Sequence, residues 1–193
     1  MLNVLLLGPQ GAGKGTQGKL ISAEYALPHI ATGDILRAAM AAGSELGRKV
    51  QPIYDSGGLV PDDIMIELIR ERLGDDDAAE GFVLDGFPRT AVQAEALDEM
   101  LDEIGRPLRV VLEFQLREEV SIERLTLRAD QEGRADDTPD AIRRRLRLYH
   151  EETEPLIEHY RARGNLVGIP ADRPVEEVFE EIQRVLEQVA VSK

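Results

Sequence analysis

Leu5-Leu6-Leu7-Gly8-Pro9-Gln10-Gly11-Ala12-Gly13-Lys14-Gly15-Thr16-Gln17 runs from an apolar stretch into a glycine-rich turn, then into a lysine and a helix-compatible segment. Strand, loop and helix in that order make a phosphate-binding loop. Glycines at 8, 11, 13 and 15 let the backbone wrap closely around a phosphate where side chains would block it. Consecutive N–H groups and the helix N-terminus supply partial positive charge, and Lys14 adds a full one that reaches the β/γ-phosphates. The spacing Gly8-x4-Gly13-Lys14 fits the general rule, but Gly15 stands where Ser or Thr is expected and Thr16 follows one place later. The competing reading is a glycine-rich hairpin with an incidental lysine. The apolar run Val4–Leu7 directly before the loop favours the phosphate loop.

Working outward, the chain of 193 residues is long enough for one substantial core but not for two full domains. It has no cysteine, which excludes a disulfide scaffold and any thiolate zinc site and fits a reducing compartment. The N-terminal apolar run ends at Leu7, far short of a membrane span, and no signal-like segment precedes it. A soluble cytoplasmic protein is therefore expected. With 37 acidic and 23 basic residues the formal charge is −14. A protein that holds a nucleic-acid backbone usually shows the opposite balance, so nucleic acid is not expected as a partner.

Helical spacing predicts helices over Gln17 to Tyr25, Ile35 to Ala42, a short one after the N-cap Ser44, and Asp63 to Leu73 capped by Asp62. Gly18 inside the first costs about 1 kcal/mol relative to Ala, which points to a close packing contact there. A further helix from Thr90 to Ile104 sets Val92, Leu97, Leu101 and Ile104 along one side. Glu118 to Arg128 reads as helix and Ala129 to Asp137 as a polar loop. A long helix then starts at the cap Thr138 with Pro139 at its first position and runs towards Arg163, bent at Pro155. Val175, Val178, Phe179, Ile182, Val185, Leu186 and Val189 mark the last helix. Between these lie the apolar strands Val4–Leu7, Pro28–Ala31, Phe82–Asp85, Arg109–Leu116 and Leu166–Ile169. Continuous apolar strands alternating with helices mean an α/β domain whose parallel sheet is covered on both faces.

In open parallel sheets ligands sit at the carboxyl ends of the strands, and the polar features gather there. The first strand ends in the phosphate loop, the second in Thr32-Gly33-Asp34, the third in Asp85-Gly86-Phe87-Pro88-Arg89. Asp85 is where a carboxylate orienting water around Mg²⁺ would stand, the alternative being a cap on the following turn. His29, His150 and His159 read as surface or packing residues. Arg143-Arg144-Arg145-Arg147 reads in the main as a solvated helix face.

Together the ordered motifs Gly8–Gln17, Thr32–Arg37, Gly57–Pro61, Leu84–Gln93 and Gly133–Asp137 followed by Arg145 resemble the adenylate kinase family over essentially the whole chain. The resemblance implies a three-layer P-loop nucleoside monophosphate kinase fold, with a five-stranded parallel sheet and helices on both faces. It also implies reversible Mg²⁺-dependent transfer of the ATP γ-phosphoryl group to AMP, giving two ADP. By resemblance, Gly11, Ala12, Gly13, Lys14, Gly15 and Thr16 cradle the ATP phosphates, with Arg124 over the ATP adenine and the Arg173 backbone at its base. Arg37 and Arg89 hold the AMP phosphate. Thr32, Gly58, Leu59, Val60, Gly86, Phe87, Pro88 and Gln93 surround AMP. Lys14, Arg89, Arg128, Arg134 and Arg145 carry the catalysis, Arg128 meeting the ATP phosphates and the last two reaching AMP as well. Mg²⁺ is held through water, oriented by Asp85 and Thr16.

The residue chemistry supports the resemblance independently. Phosphoryl transfer through a loose transition state needs positioning and charge neutralisation more than covalent help, and arginine's planar fork suits that task. The resemblance further implies a core of 1–30, 61–126 and 138–193, an AMP-side flap of about 31–60, and a short zinc-free lid of about 127–137 in place of the longer lid that often carries zinc-binding cysteines. A monomer is expected, with small-molecule nucleotides as partners. Two positions depart from the family pattern: Gln10 where proline is frequent, and Ala31 where a polar residue is common. The nearest alternative is a UMP/CMP kinase on the same scaffold. Those relatives tend to carry Ala and Asn where Thr32 and Thr90 stand, so the pair favours AMP. A GTPase switch would need an Asn-Lys-x-Asp motif, which the sequence lacks, and a non-catalytic nucleotide-binding module has no physical need of Lys14, Asp85 and the arginines.

Overall fold

The structure, a computed structural model, describes residues 1–132 and 137–191. Five strands, β1 (Leu2–Leu7), β2 (His29–Ala31), β3 (Gly81–Asp85), β4 (Val110–Gln115) and β5 (Leu166–Pro170), form one sheet in the order β2-β3-β1-β4-β5. Every pairing is parallel. Successive side chains on a strand face opposite ways. Leu5 and Leu7 therefore join one core with Leu84 and Val111, while Val4 and Leu6 join another with Val83 and Leu112. With a core on each face, the strands have no polar side to show, which is why they read as unbroken apolar runs.

The first core is closed by α2 (Thr32–Ala41), α3 (Glu45–Asp55), α4 (Asp62–Leu73), α5 (Ala91–Glu103) and, beyond α6 (Glu118–Glu132) and α7 (Pro139–Leu148), by α8 (Leu156–Ala162). The second is closed by α1 (Lys14–Tyr25) through Ile21 and by α9 (Val175–Val191) through Val178, Ile182 and Leu186. A small third cluster of Leu125, Ile142 and Leu146 joins α6 to α7. Each fully buried side chain of this kind stabilises the fold by roughly 1.5–3 kcal/mol. The expected three-layer α/β architecture is the one observed.

Several local expectations are corrected. Helix α1 begins at Lys14, three residues before the predicted start, with Gly13 in the left-handed region at its N-cap. Helix α2 begins at Thr32 rather than Ile35. Asp62 is the first residue of α4 rather than its cap, because its carboxylate is taken up by Thr90 Oγ1 and Gln93 Nε2 across the chain. In α5 the buried face is Ala94, Leu97, Met100 and Leu101, whereas Val92 and Ile104 are exposed; the helix packs one notch round from the predicted stripe. Helix α6 continues to Glu132 through part of the segment read as loop, Ala129 and Gln131 being good helix formers. The long helix ends at Leu148 and passes through a wide turn, Tyr149–Thr153, before α8. Pro155 accounts for this, since its ring clashes with the carbonyl four residues back and opens the preceding turn. The Ser44 and Thr138 caps form as expected, on Gly47 N and Ala141 N. The packing contact at Gly18 is the His29 ring, which a Cβ would meet at 2.4 Å.

Candidate functional site

Register places the site. Leu6 and Ala31 both pair with Asp85 on β3, so the phosphate loop, Thr32 and Gly86 emerge at one level at the carboxyl edge of the sheet. There a cleft of about 820 Å³ opens, lined by the loop from Gln10 to Thr16, by Asp85, and by arginines from five separate segments of the chain.

The loop is held from both sides. Gly8 has φ +143, and a Cβ on it would stand 2.7 Å from the Phe114 carbonyl oxygen, so only glycine lets the chain turn this close to β4. Ser121 donates from its hydroxyl to the Gln10 carbonyl, and Arg124 Nη1 donates to Gly11 O (3.4 Å) and Ala171 O (3.1 Å). Gln10 is thus anchored to α6 through its backbone, which any residue could provide. Lys14 Nζ donates to Gly8 O (2.7 Å) and Pro9 O (2.8 Å), which centres its charge over the loop. Burial pulls this ammonium down to about 8, opposed by Asp85 and reinforced by the nearby Arg89 and Arg128. Burial would push the Asp85 carboxyl up, but the His29 ring, Lys14 and Arg89 outweigh it and hold it below the ordinary range. His29 Nε2 lies 3.7 Å from Asp85 Oδ2, too far for a formed hydrogen bond.

The arginines converge opposite the loop. Arg89 is locked by Nε donating to Gly86 O (2.8 Å) and by its own N–H on Gln93 Oε1 (2.8 Å). Burial, then the neighbouring Arg145, lowers the Arg89 pKa; Tyr54 and Asp85 act against this and Arg37 with it. Arg128 and Arg145 share Asp137, whose carboxylate is fully buried. Arg37 donates to Tyr54 Oη and to Asp34. Guanidiniums brought this close repel each other unless an anion lies among them. The chemistry on offer is the grip of a polyphosphate at the loop and of a second phosphate facing it.

The comparisons with known proteins agree with that geometry. The family model Adenylate kinase matches residues 6–165. The chain is 48% identical to the adenylate kinase of Thermobifida fusca over 98% of its own length and 100% of the relative. It is 46% identical to that of a Cyanothece species over 100% and 99%, and 41% identical to that of Archaeoglobus fulgidus over 97% and 99%. The chain belongs to the adenylate kinase family.

Of the residues that adenylate kinase resemblance singles out, Gly11 to Thr16, Arg37, Gly58, Asp85, Gly86, Pro88, Arg89, Arg124, Arg128, Arg145 and Arg173 all line the cleft. Thr32, Phe87 and Gln93 are buried, Val60 is in the core, and neither they nor Leu59 form part of its wall. Arg134 lies outside the described residues. Among the described residues, no three of His, Asp and Glu converge into a metal-holding group. The donors present are the Asp85 carboxylate and the exposed Thr16 hydroxyl at the first turn of α1, a set that fits Mg²⁺ carried in on phosphates and keeping its waters. Also among the described residues, no helix is long and apolar enough to cross a membrane.

Sequence reasoning gave no role to four residues that organise this site. Asp137 stands in a quoted motif, and an acid just before an arginine-rich helix was the available signal. Local sequence presents Asp62 only as a cap, and His29 only as a surface or packing residue. Tyr54 belongs to no local motif, so its place among the arginines is visible only in three dimensions.

Proposed function

We propose that this chain is an ATP:AMP phosphotransferase, interconverting ATP plus AMP with two ADP in adenine nucleotide homeostasis and AMP salvage. The observation that carries the reading is the convergence of Lys14, Arg37, Arg89, Arg128 and Arg145 on one cleft at the end of a phosphate loop. The ATP polyphosphate lies along the loop N–H groups with Lys14 on its outer phosphates. Arg124 and the Arg173 segment flank its base, and the AMP phosphate lies between Arg37 and Arg89. Arg128, Arg145 and Arg134 neutralise the phosphoryl group in transit. Its acceptor is a phosphate oxygen already ionised at neutral pH, so positioning and charge do the catalysis and no strong base is needed. Mg²⁺, when bound, neutralises β- and γ-phosphate oxygens, and Asp85 with Thr16 are the groups that would orient its waters.

Residues of about 31–60 act as the AMP-side flap and about 127–137 as the lid, and closure keeps out water that would otherwise take the phosphoryl group. A single chain supplies the whole cleft, which supports a monomer, and the cysteine-free composition supports the cytoplasm. The test is diphosphate formation from Mg-ATP with AMP, UMP or CMP in parallel. AMP is expected to be preferred, and Arg89→Ala to lower kcat/KM for it by about 100-fold or more. Preference for UMP or CMP moves the protein to the pyrimidine branch of the same scaffold. No transfer to any of the three leaves a nucleotide-binding module.

A further inference from the structure

Tyr54 closes the last turn of α3, half-buried, with one side open to the cleft. Two of the arginines assigned above to phosphate meet it from different elements. Arg37, on α2, donates from Nη1 to the Tyr54 hydroxyl. Arg145, on α7, places its guanidinium carbon 5.5 Å from the centroid of the Tyr54 ring, within reach of the negative π-face. The surroundings are shaped to the pair: a Cβ on Gly33 would stand 3.2 Å from Arg37 Nη1 and 3.5 Å from Tyr54 Oη. Even a methyl group there would crowd the contact.

This arrangement meets a physical need. Arg37, Arg89 and Arg145 carry like charges into one corner, and side-chain entropy favours their swinging apart into water. Asp34 holds the second arm of Arg37, but from an exposed position where an ion pair contributes little. A phenol offers what a carboxylate could not. Its oxygen accepts from one guanidinium and its ring carries another, yet it adds no negative charge to compete with the incoming phosphate.

We propose that Tyr54 is a positioning residue of the acceptor-phosphate site, orienting Arg37 through its hydroxyl and Arg145 through its ring, and so joining the flap to α7 when AMP binds. This rests on the assignment of Arg37 and Arg145 to the phosphates under the proposed function. The hydroxyl and the ring do separable work. Tyr54→Phe keeps the ring and loses the hold on Arg37; Tyr54→Leu loses both.

The experiment measures steady-state kinetics and the binding of AMP and of adenosine, by calorimetry, for the full chain and for Tyr54→Phe, Tyr54→Leu and Arg37→Ala. Tyr54→Phe is expected to raise KM for AMP by about tenfold, with KM for ATP and kcat within about twofold. Its affinity for AMP falls in step while that for adenosine stays within about twofold, since only the phosphate part is lost. Tyr54→Leu is expected to lower kcat as well, because Arg145 loses its platform. A merely structural tyrosine would weaken AMP and adenosine alike, and that result overturns the inference. So does a Tyr54→Phe variant that binds AMP as the parent does while Arg37→Ala binds it poorly; the assignment of Arg37 then stands and Tyr54 alone falls. If Arg37→Ala also leaves AMP binding unchanged, the phosphate assignment fails and the role of Tyr54 fails with it.

Discussion

Arg128 lays both arms of its fork on Asp137, Nε to Oδ2 at 2.6 Å and Nη2 to Oδ1 at 2.7 Å, and Arg145 Nη1 reaches the same Oδ1 at 3.0 Å. The Asp137 side chain is 0% exposed, and those of Arg128 and Arg145 are 28% and 10% exposed. Removing one partner of such a group leaves the others charged, desolvated and unoriented. Asp137→Ala is therefore expected to cost about 3 kcal/mol in urea unfolding. It is also expected to lower kcat by about 100-fold, because the two arginines that the proposed function assigns to phosphate lose their fixed pose. Activity and stability measured on one preparation check both, and a stable variant with parental kcat would sink the account.

His150 bridges the start of α6 to the wide turn after α7, with Nδ1 2.8 Å from Glu154 Oε2 and Nε2 2.9 Å from Glu118 Oε2. The Glu154 contact, helped by Glu118 and opposed by slight burial, raises the His150 pKa above its ordinary 6.5. A raised histidine contributes stability that is fully present below about 6.5, its unfolded value, and is lost as pH rises through the higher folded value. Both carboxylates must stay ionised, so the window opens above the glutamate range. Melting temperatures of the parent and His150→Gln should thus differ most near pH 6 and converge by pH 9. Curves that run parallel across that range would remove the ring's charge from the explanation.

What the sequence disclosed follows from how local the cause was. The phosphate loop, the five strands and the caps at Ser44 and Thr138 are written in neighbouring residues, and all formed. Helix edges moved where a tertiary partner competed: Asp62 gave up its capping role because Thr90 and Gln93 offered it two donors. The α5 stripe turned because burial depends on which face meets α4 and the first core, not on spacing alone. Lys14 and Arg89 were legible from motifs. Asp137 and Tyr54 were not, since each acts by touching arginines brought in from other elements.

Gln93 is held with a defined handedness. Its Oε1 accepts from Arg89 N at 2.8 Å, and its Nε2 donates to Asp62 Oδ1 at 2.7 Å. An amide fixed this way offers a donor and an acceptor in one order, which suits a 6-amino purine edge and opposes a 6-oxo edge. Under the proposed function Gln93, buried behind the present wall of the cleft, meets the acceptor base once AMP is bound, and Asp62→Ala lets the amide turn against only the Arg89 N–H. The preference for AMP over IMP should then fall by about three- to tenfold, the worth of one hydrogen bond. Parallel kcat/KM values for the two monophosphates test this, and an unaltered ratio counts against it.

Gly86 carries the last prediction. Its φ is +84, and a Cβ there would meet Thr32 Oγ1 at 2.4 Å and Arg89 Nη2 at 3.2 Å. Its carbonyl also accepts from Arg89 Nε, so any shift of residue 86 is passed to that guanidinium. Gly86→Ala thus combines a left-handed backbone that alanine resists with a clash against a buried hydroxyl. The expected loss is about 2–3 kcal/mol in urea unfolding, with KM for AMP rising several-fold more than KM for ATP. Adding Thr32→Ala removes the clash but not the backbone strain. The double variant should therefore recover part of the stability and not all of it. Full recovery would mean the φ angle costs nothing at this position, and no recovery would mean the hydroxyl was never in the way.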